Sequence, residues 1–259
     1  MYAIDLSGKT GLIFGVANHR SLAWAIAQVL HGAGVRLAYT YQGERLRERV
    51  EDLARAQSPE APIYECDVVR DEDIASVCRR AGEDLGKIDF LVHSVAFARK
   101  EDLEGMFLHT SREGYRIALE ISAYSLVRIA REAVPWMEKE GGSIVALTYA
   151  ASQRVVPSYN VMGSAKAALE HAVRQLAYEL GPKRIRVNAI SSGPVSTLAA
   201  RGIGGFTDML QAARERAPLG RGIEPEEVGK AALFLLSDLG SGVTGEILYV
   251  DAGYSIMGI

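Results

Sequence analysis

Short apolar runs alternate with helical stretches along the whole chain, and that alternation leaves few folds open. Thr10–Val16, Val35–Tyr41, Pro62–Cys66, Ile88–Val95, Ser143–Thr148, Arg184–Ile190 and Glu246–Val250 read as strands. Arg20–His31, Glu44–Ala56, Asp71–Leu85, a long stretch Ser111–Glu140, Ser158–Leu180, Thr207–Arg216 and Pro225–Ser237 read as helices between and after them. Strands separated by helices pair in parallel through right-handed crossovers. A parallel sheet is covered on both faces, which explains runs that are apolar throughout. The expectation is one domain with a doubly wound parallel sheet of about seven strands. At 259 residues and 48% hydrophobic, the chain can fill such a core alone.

Composition narrows the function classes. A formal net charge of -3 gives no reason to expect nucleic acid or an anionic membrane. No apolar stretch is long enough to span a bilayer. Cys66 and Cys78 make neither a disulfide framework nor a metal spacing, and no leader is visible before Lys9, so a reducing cytoplasm is expected. The five histidines, His19, His31, His93, His109 and His171, show no metal-ligand pairing.

Ligands of such sheets bind beyond the carboxyl ends of the strands, at the topological switch point. The first strand leads into Gly15-Val16-Ala17-Asn18-His19-Arg20-Ser21-Leu22-Ala23, which is not GxGxxG and keeps only Gly15. Ser21 either bonds a phosphate oxygen beside the helix-start N–H groups or simply caps the helix. The second strand ends at Gln42, where an acidic residue would bond adenosine ribose and an arginine would favour a 2′-phosphate. Gln42 is neither, its amide can bond ribose, and the nearby Arg45 and Arg47 fall on the next helix; NADH is favoured over NADPH. Asp67-Val68 follows the third strand, suited to adenine or to a turn. Three such residues at three successive strand ends point to a Rossmann-type dinucleotide site.

Tyr159 and Lys166 lie seven apart on a predicted helix and so project from one face. An ammonium there is expected to lower the tyrosine pKa. Such a pair makes an electrophile for a carbonyl oxygen that gains charge. A half-buried Tyr beside a Lys whose stem covers apolar surface fits the spacing too.

From end to end the chain resembles a short-chain dehydrogenase/reductase. More narrowly it resembles the NADH-dependent enoyl-acyl carrier protein reductases of fatty acid synthesis. The resemblance rests on Gly15…Ser21-Leu22-Ala23, Tyr41-Gln42, Asp67-Val68, His93-Ser-Val-Ala-Phe-Ala98, Tyr149…Tyr159-Asn-Val-Met-Gly-Ser-Ala-Lys166 and Ser192-Gly-Pro-Val-Ser-Thr-Leu-Ala199. Most of the superfamily carries Tyr-x3-Lys and a Ser about thirteen residues before the Tyr. Here Gly163 and Ala146 stand at those positions, departures shared with the enoyl-reductase branch.

The resemblance implies roles. Gly15, Ser21 and Leu22 would hold the pyrophosphate, Gln42 the adenosine ribose, and Asp67 and Val68 the adenine. Val95 would lie along the cofactor, Lys166 on the nicotinamide ribose, and Val195, Ser196, Thr197, Leu198 and Ala199 against the nicotinamide and pyrophosphate. Tyr159 would bond the thioester carbonyl, Tyr149 would line the acyl site near the reacting carbons, and Ala98 would touch the acyl chain. A lid is expected around 195–216, with Gly202, Gly204 and Gly205 giving freedom and Ile203 and Phe206 apolar faces. The resemblance also implies a homotetramer and an enoyl-acyl carrier protein substrate, for which Arg201, Arg214 and Arg216 offer the basic groups near the lid. The alternatives are a hydroxyacyl or ketoacyl dehydrogenase of the same superfamily and a non-catalytic dinucleotide sensor.

Overall fold

The computed structural model describes residues 4–197 and 205–258. Seven strands form one parallel sheet: β1 (Thr10–Phe14), β2 (Arg36–Tyr41), β3 (Ile63–Glu65), β4 (Phe90–His93), β5 (Gly142–Thr148), β6 (Ile185–Ser192) and β7 (Ile247–Val250). Their spatial order is β3-β2-β1-β4-β5-β6-β7. The helices are α1 (Leu22–Gly32), α2 (Glu44–Gln57), α3 (Asp71–Leu85), α4 (Lys100–Leu103), α5 (Arg112–Leu119), α6 (Ser125–Met137), α7 (Val161–Leu180), α8 (Phe206–Arg216) and α9 (Pro225–Leu236).

Alternate residues of each strand fill opposite layers, as the two-residue period requires. On β1, Leu12 and Phe14 join Cys78 of α3, Leu126 of α6 and Leu169 of α7. Ile13 points the other way, to Ile26 of α1, Val50 of α2 and Val228 of α9. All five β1 residues are buried because both faces are covered. The register pairs Leu12 with Ala38 of β2 and with Leu91 of β4. Chain order reverses between β1 and β4, so the crevice at their carboxyl ends is the switch point.

Two helices depart from expectation. The stretch expected to be helical from Ser111 to Glu140 contains a π turn at Glu120–Tyr124, between α5 and α6. Its serines have work besides the helix ladder. Ser122 Oγ accepts from Phe97 N at 3.0 Å and donates to Phe97 O at 3.2 Å, and Ser125 Oγ donates back to Ile121 O at 2.6 Å.

The helix expected from Ser158 begins at Val161 instead. Ser158 and Asn160 have φ of 62° and 38°, outside the right-handed helical region. Asn160 Nδ2 donates to Leu103 O at 3.0 Å and to Gly105 O at 3.2 Å, which holds the backbone there. Tyr159 therefore sits in a turn ahead of the helix, between two positive-φ residues. The short α4 was not foreseen, because four residues carry no periodicity to read.

Candidate active site

The phosphate end is built by a close approach of backbones. Gly15 follows β1 with φ of 101°, and a Cβ there would meet Ser94 O at 2.1 Å. Only glycine lets the two strand ends lie that near. Ser21 is the N-cap residue of α1, yet its hydroxyl does not cap. It donates to Asn18 O at 2.5 Å and accepts from Ala17 N at 3.4 Å, tying the loop across itself. Trp24 N and Ala25 N donate to Ser21 O at 3.0 and 3.2 Å, which leaves the N–H groups of Leu22 and Ala23 at the helix start, where an anion is favoured.

The β2 and β3 ends meet. Gln42 Nε2 donates to Asp67 Oδ1 at 3.4 Å, and Asp67 Oδ1 also accepts from Val69 N at 3.2 Å. Asp67 is a turn residue; the N-cap of α3 is Arg70. Val68 packs half-buried on the core. Arg47, on α2, is held by Glu44 at 3.5 Å and Glu51 at 2.9 Å.

The chemical end gathers Tyr149, Tyr159 and Lys166. Tyr149 follows β5, and its ring packs on that of Tyr159 with centroids 4.9 Å apart. Its hydroxyl donates to Met209 Sδ of α8 at 3.3 Å. The Tyr159 ring rests against the cluster of Leu103, Ala118, Val161, Met162 and Ala165, with Ala98 beside it. Lys166 is buried, and its Nζ donates to Leu147 O at 2.7 Å.

Burial, rather than the Lys166 ammonium, governs the electrostatics of this pair, contrary to expectation. Burial pushes the Tyr159 phenol well above its ordinary value, and the adjacent Tyr149 adds to that; Lys166 does not lower it. Burial also pushes Tyr149 up to about 12. Lys166 is the group that shifts down, to about 8, because its ammonium is desolvated while only Glu170 favours the charge. Both phenols are therefore neutral donors. His93, whose Nε2 lies 2.8 Å from Ser125 Oγ, is lowered to about 3 by burial and by Lys166, so it stays neutral.

A cavity of about 520 Å³ opens at the strand ends. Of the sequence-nominated residues it joins Gly15, Ser21, Leu22, Val95, Ala98, Tyr149, Tyr159, Lys166, Val195 and Thr197. Gln42, Asp67 and Val68 lie outside it, around the edge of the sheet, and Ser196 is exposed. Leu198, Ala199, Arg201, Gly202, Ile203 and Gly204 fall outside the described residues. Sequence reasoning missed Leu103, Met162 and Met209 in the lining. Met209 was findable, three residues after Phe206 on one helix face. The donors at α1, the side-chain-free Gly15 and the volume suit a dinucleotide and a short acyl segment.

The two departures also acquire reasons. Ala146 is fully buried in β5 and does not line the cavity. At Gly163 a Cβ would meet Ala151 O at 2.9 Å, so the short turn Ala150–Ser152 lies directly on α7.

Comparison with known proteins agrees with this architecture. Residues 15–255 match the model of a family described as enoyl-(acyl carrier protein) reductase. The chain is 51% identical over 252 residues to the enoyl-[acyl-carrier-protein] reductase [NADPH] FabI of Staphylococcus aureus, covering 97% of this chain and 98% of the relative. It is 50% identical over 254 residues to the [NADH] FabI of Bacillus cereus, covering 98% and 99%. A crystal structure of the Bacillus cereus enoyl-acyl carrier protein reductase with NADP+ and an indole naphthyridinone superimposes with a TM-score of 0.96 at 48% identity, covering 100% of both chains. With its sheet order, its Tyr149–Tyr159–Lys166 constellation and these matches taken together, the chain belongs to the enoyl-acyl carrier protein reductase family.

Proposed function

We propose that this protein reduces the trans-2 double bond of an enoyl-acyl carrier protein, with NADH as reductant, in fatty acid synthesis. The observation that carries the reading is the convergence of two neutral phenols and a buried lysine on one largely apolar cavity at the switch point.

Gly15, Ser21, Leu22 and the start of α1 hold the pyrophosphate. Gln42 bonds the adenosine ribose, and Asp67 and Val68 receive the adenine. Val95, Val195, Ser196 and Thr197 would border the nicotinamide and pyrophosphate, and Lys166 would donate to the nicotinamide ribose. So held, NADH would supply the hydride for the β-carbon. Tyr159 donates its O–H to the thioester oxygen, where negative charge builds as an enolate. A donor aimed at developing charge lowers the barrier rather than merely tightening binding. Protonation of the α-carbon, for which Lys166 would hold a linked water chain, would complete the reduction. Tyr149 and Ala98 would border the acyl chain, and Phe206 and Met209 of α8 would cover it.

NADH is preferred because β2 is followed by Gln42 rather than arginine, and Arg47 is engaged by two glutamates. NADPH is the second reading, since the Staphylococcus aureus relative is named for it. The exposed Tyr115, Tyr124 and Tyr178, on α5, the π turn and α7, fit helices that pair across subunits in a homotetramer. Free, buried Cys66 and Cys78 fit a reducing cytoplasm.

Cofactor oxidation with a crotonyl thioester, set against an acetoacetyl thioester, tests the reading. Turnover of the crotonyl substrate with the higher kcat/KM on NADH is expected. Faster turnover of the acetoacetyl substrate would establish the dehydrogenase alternative, and NADH binding without turnover of either would establish a sensor.

A further inference from the structure

Glu170 is a carboxylate in an improbable place. It lies on α7 one turn beyond Lys166, is 2% exposed, and belongs to none of the binding or reacting groups above. Its Oε1 accepts two hydrogen bonds, from Thr148 Oγ1 at 2.8 Å and from Ser152 Oγ at 2.6 Å. Those hydroxyls flank Tyr149: Thr148 is the last residue of β5, and Ser152 closes the short helical turn that follows. One carboxylate oxygen thus draws together both ends of the segment that carries the tyrosine. The same segment touches α7 at a second place, where Ala151 O approaches Gly163. A buried carboxylate is costly unless its lone pairs are used and a cation is near. Here the hydroxyls use Oε1, Arg174 lies 3.9 Å from Oε2, and Lys166 is four residues away on the same helix.

We propose that Glu170 is a positioning residue of the enoyl-reducing site, fixing the Tyr149 segment onto α7 and supplying the counter-charge for the Lys166 ammonium. The inference rests on the enoyl-reductase reading and adds to it a group that touches neither substrate nor cofactor. Its two effects are separable by chemistry. Glu170→Gln keeps an oxygen that both hydroxyls can bond but removes the charge. Glu170→Ala removes both.

The charged and titratable groups facing this carboxylate and Lys166 are few. Arg174 lies on α7, and Tyr249 of β7 faces Glu170 beside Arg154 and Asp251. His93 of β4 faces Lys166 and is neutral above about pH 3. Tyr149 and Tyr159 line the same cavity and stay neutral through the working range. Lys166 is therefore the group that titrates at mildly alkaline pH.

The experiment measures kcat and NADH affinity against pH for the full-length wild type, Glu170→Gln, Glu170→Ala and Ser152→Ala with a crotonyl thioester. In Glu170→Gln the alkaline limb should move by about one pH unit toward acid, the lower end of the shift an opposite charge produces. Ser152→Ala should lower kcat by about three- to tenfold, the loss expected for one hydrogen bond, with the limb unmoved. Glu170→Ala should show both effects. Wild-type limbs and wild-type kcat in Glu170→Gln and Ser152→Ala would overturn the proposal even if Glu170→Ala failed to fold. An inactive wild type would instead refute the enoyl-reductase reading, so the two failures are distinguishable.

Discussion

Tyr159→Phe removes a single oxygen and leaves almost everything else in place. The ring keeps its contact with Tyr149 and its seat on the Leu103–Ala165 cluster. Among the described residues the Tyr159 hydroxyl makes no hydrogen bond, so the fold loses none when it goes. What is lost is one donor to the thioester oxygen, in a cavity walled by Leu103, Met162, Phe206 and Met209, where a neutral O–H meets little competition from water. A single donor of that kind is worth about 2.7–4 kcal/mol, or roughly 100- to 1,000-fold in kcat. NADH affinity should stay near wild type, because Lys166 and the α1 loop are untouched. Because the wild-type phenol is protonated throughout, the kcat ratio of wild type to variant should be constant between about pH 6 and 9. The assay is cofactor oxidation at saturating NADH, with NADH binding followed separately by fluorescence. A kcat within a few-fold of wild type would refute the reasoning. A ratio that changes steeply across that range would refute the neutral-phenol account.

Two further outcomes test the scaffold. Gly15→Ala forces a side chain into a left-handed backbone and against Ser94 O; a loss of about 3 kcal/mol is expected, with a Tm fall of roughly 6–12 °C and weakened NADH binding, whereas an unchanged Tm would contradict the close approach. Lys166→Met should abolish turnover, and its stability relative to wild type should fall as pH rises through the Lys166 titration. The folded-state pKa of Lys166, about 8, lies below its ordinary 10.5, so the wild-type deficit is full below pH 8 and fades as pH rises toward 10.5. Thermal melts of both proteins over that window check it, and a variant that gained on wild type as pH rose would reverse the sign.

The fold was legible in the sequence because β1, β4 and β5 are covered on both faces, so their burial is written as unbroken apolar runs. The phosphate and adenine positions were legible as strand ends. What escaped depends on contacts remote along the chain. Asn160 is kept out of the helix by carbonyls of Leu103 and Gly105, more than fifty residues earlier, so the start of α7 reads too soon. The pairing of Gln42 with Asp67 spans 25 residues. Lys166 was expected to acidify Tyr159, but its Nζ is occupied by the carbonyl of Leu147 and burial governs both groups. Periodicity reports which face a residue takes; it is silent on what solvent has been excluded around it.

The approach of Ala151 O to Gly163 bears on how reaction types diverge on this scaffold. Moving the lysine back to the fourth position after the tyrosine, as ketone reducers have it, would drive a side chain into the Ala150–Ser152 backbone. That backbone is continuous with Tyr149, so the second phenol would shift at the same moment, before any serine at position 146 could take up its part. No single substitution crosses from one chemistry to the other. A designer who moves the lysine to position 163 must therefore also relocate the Ala150–Ser152 turn.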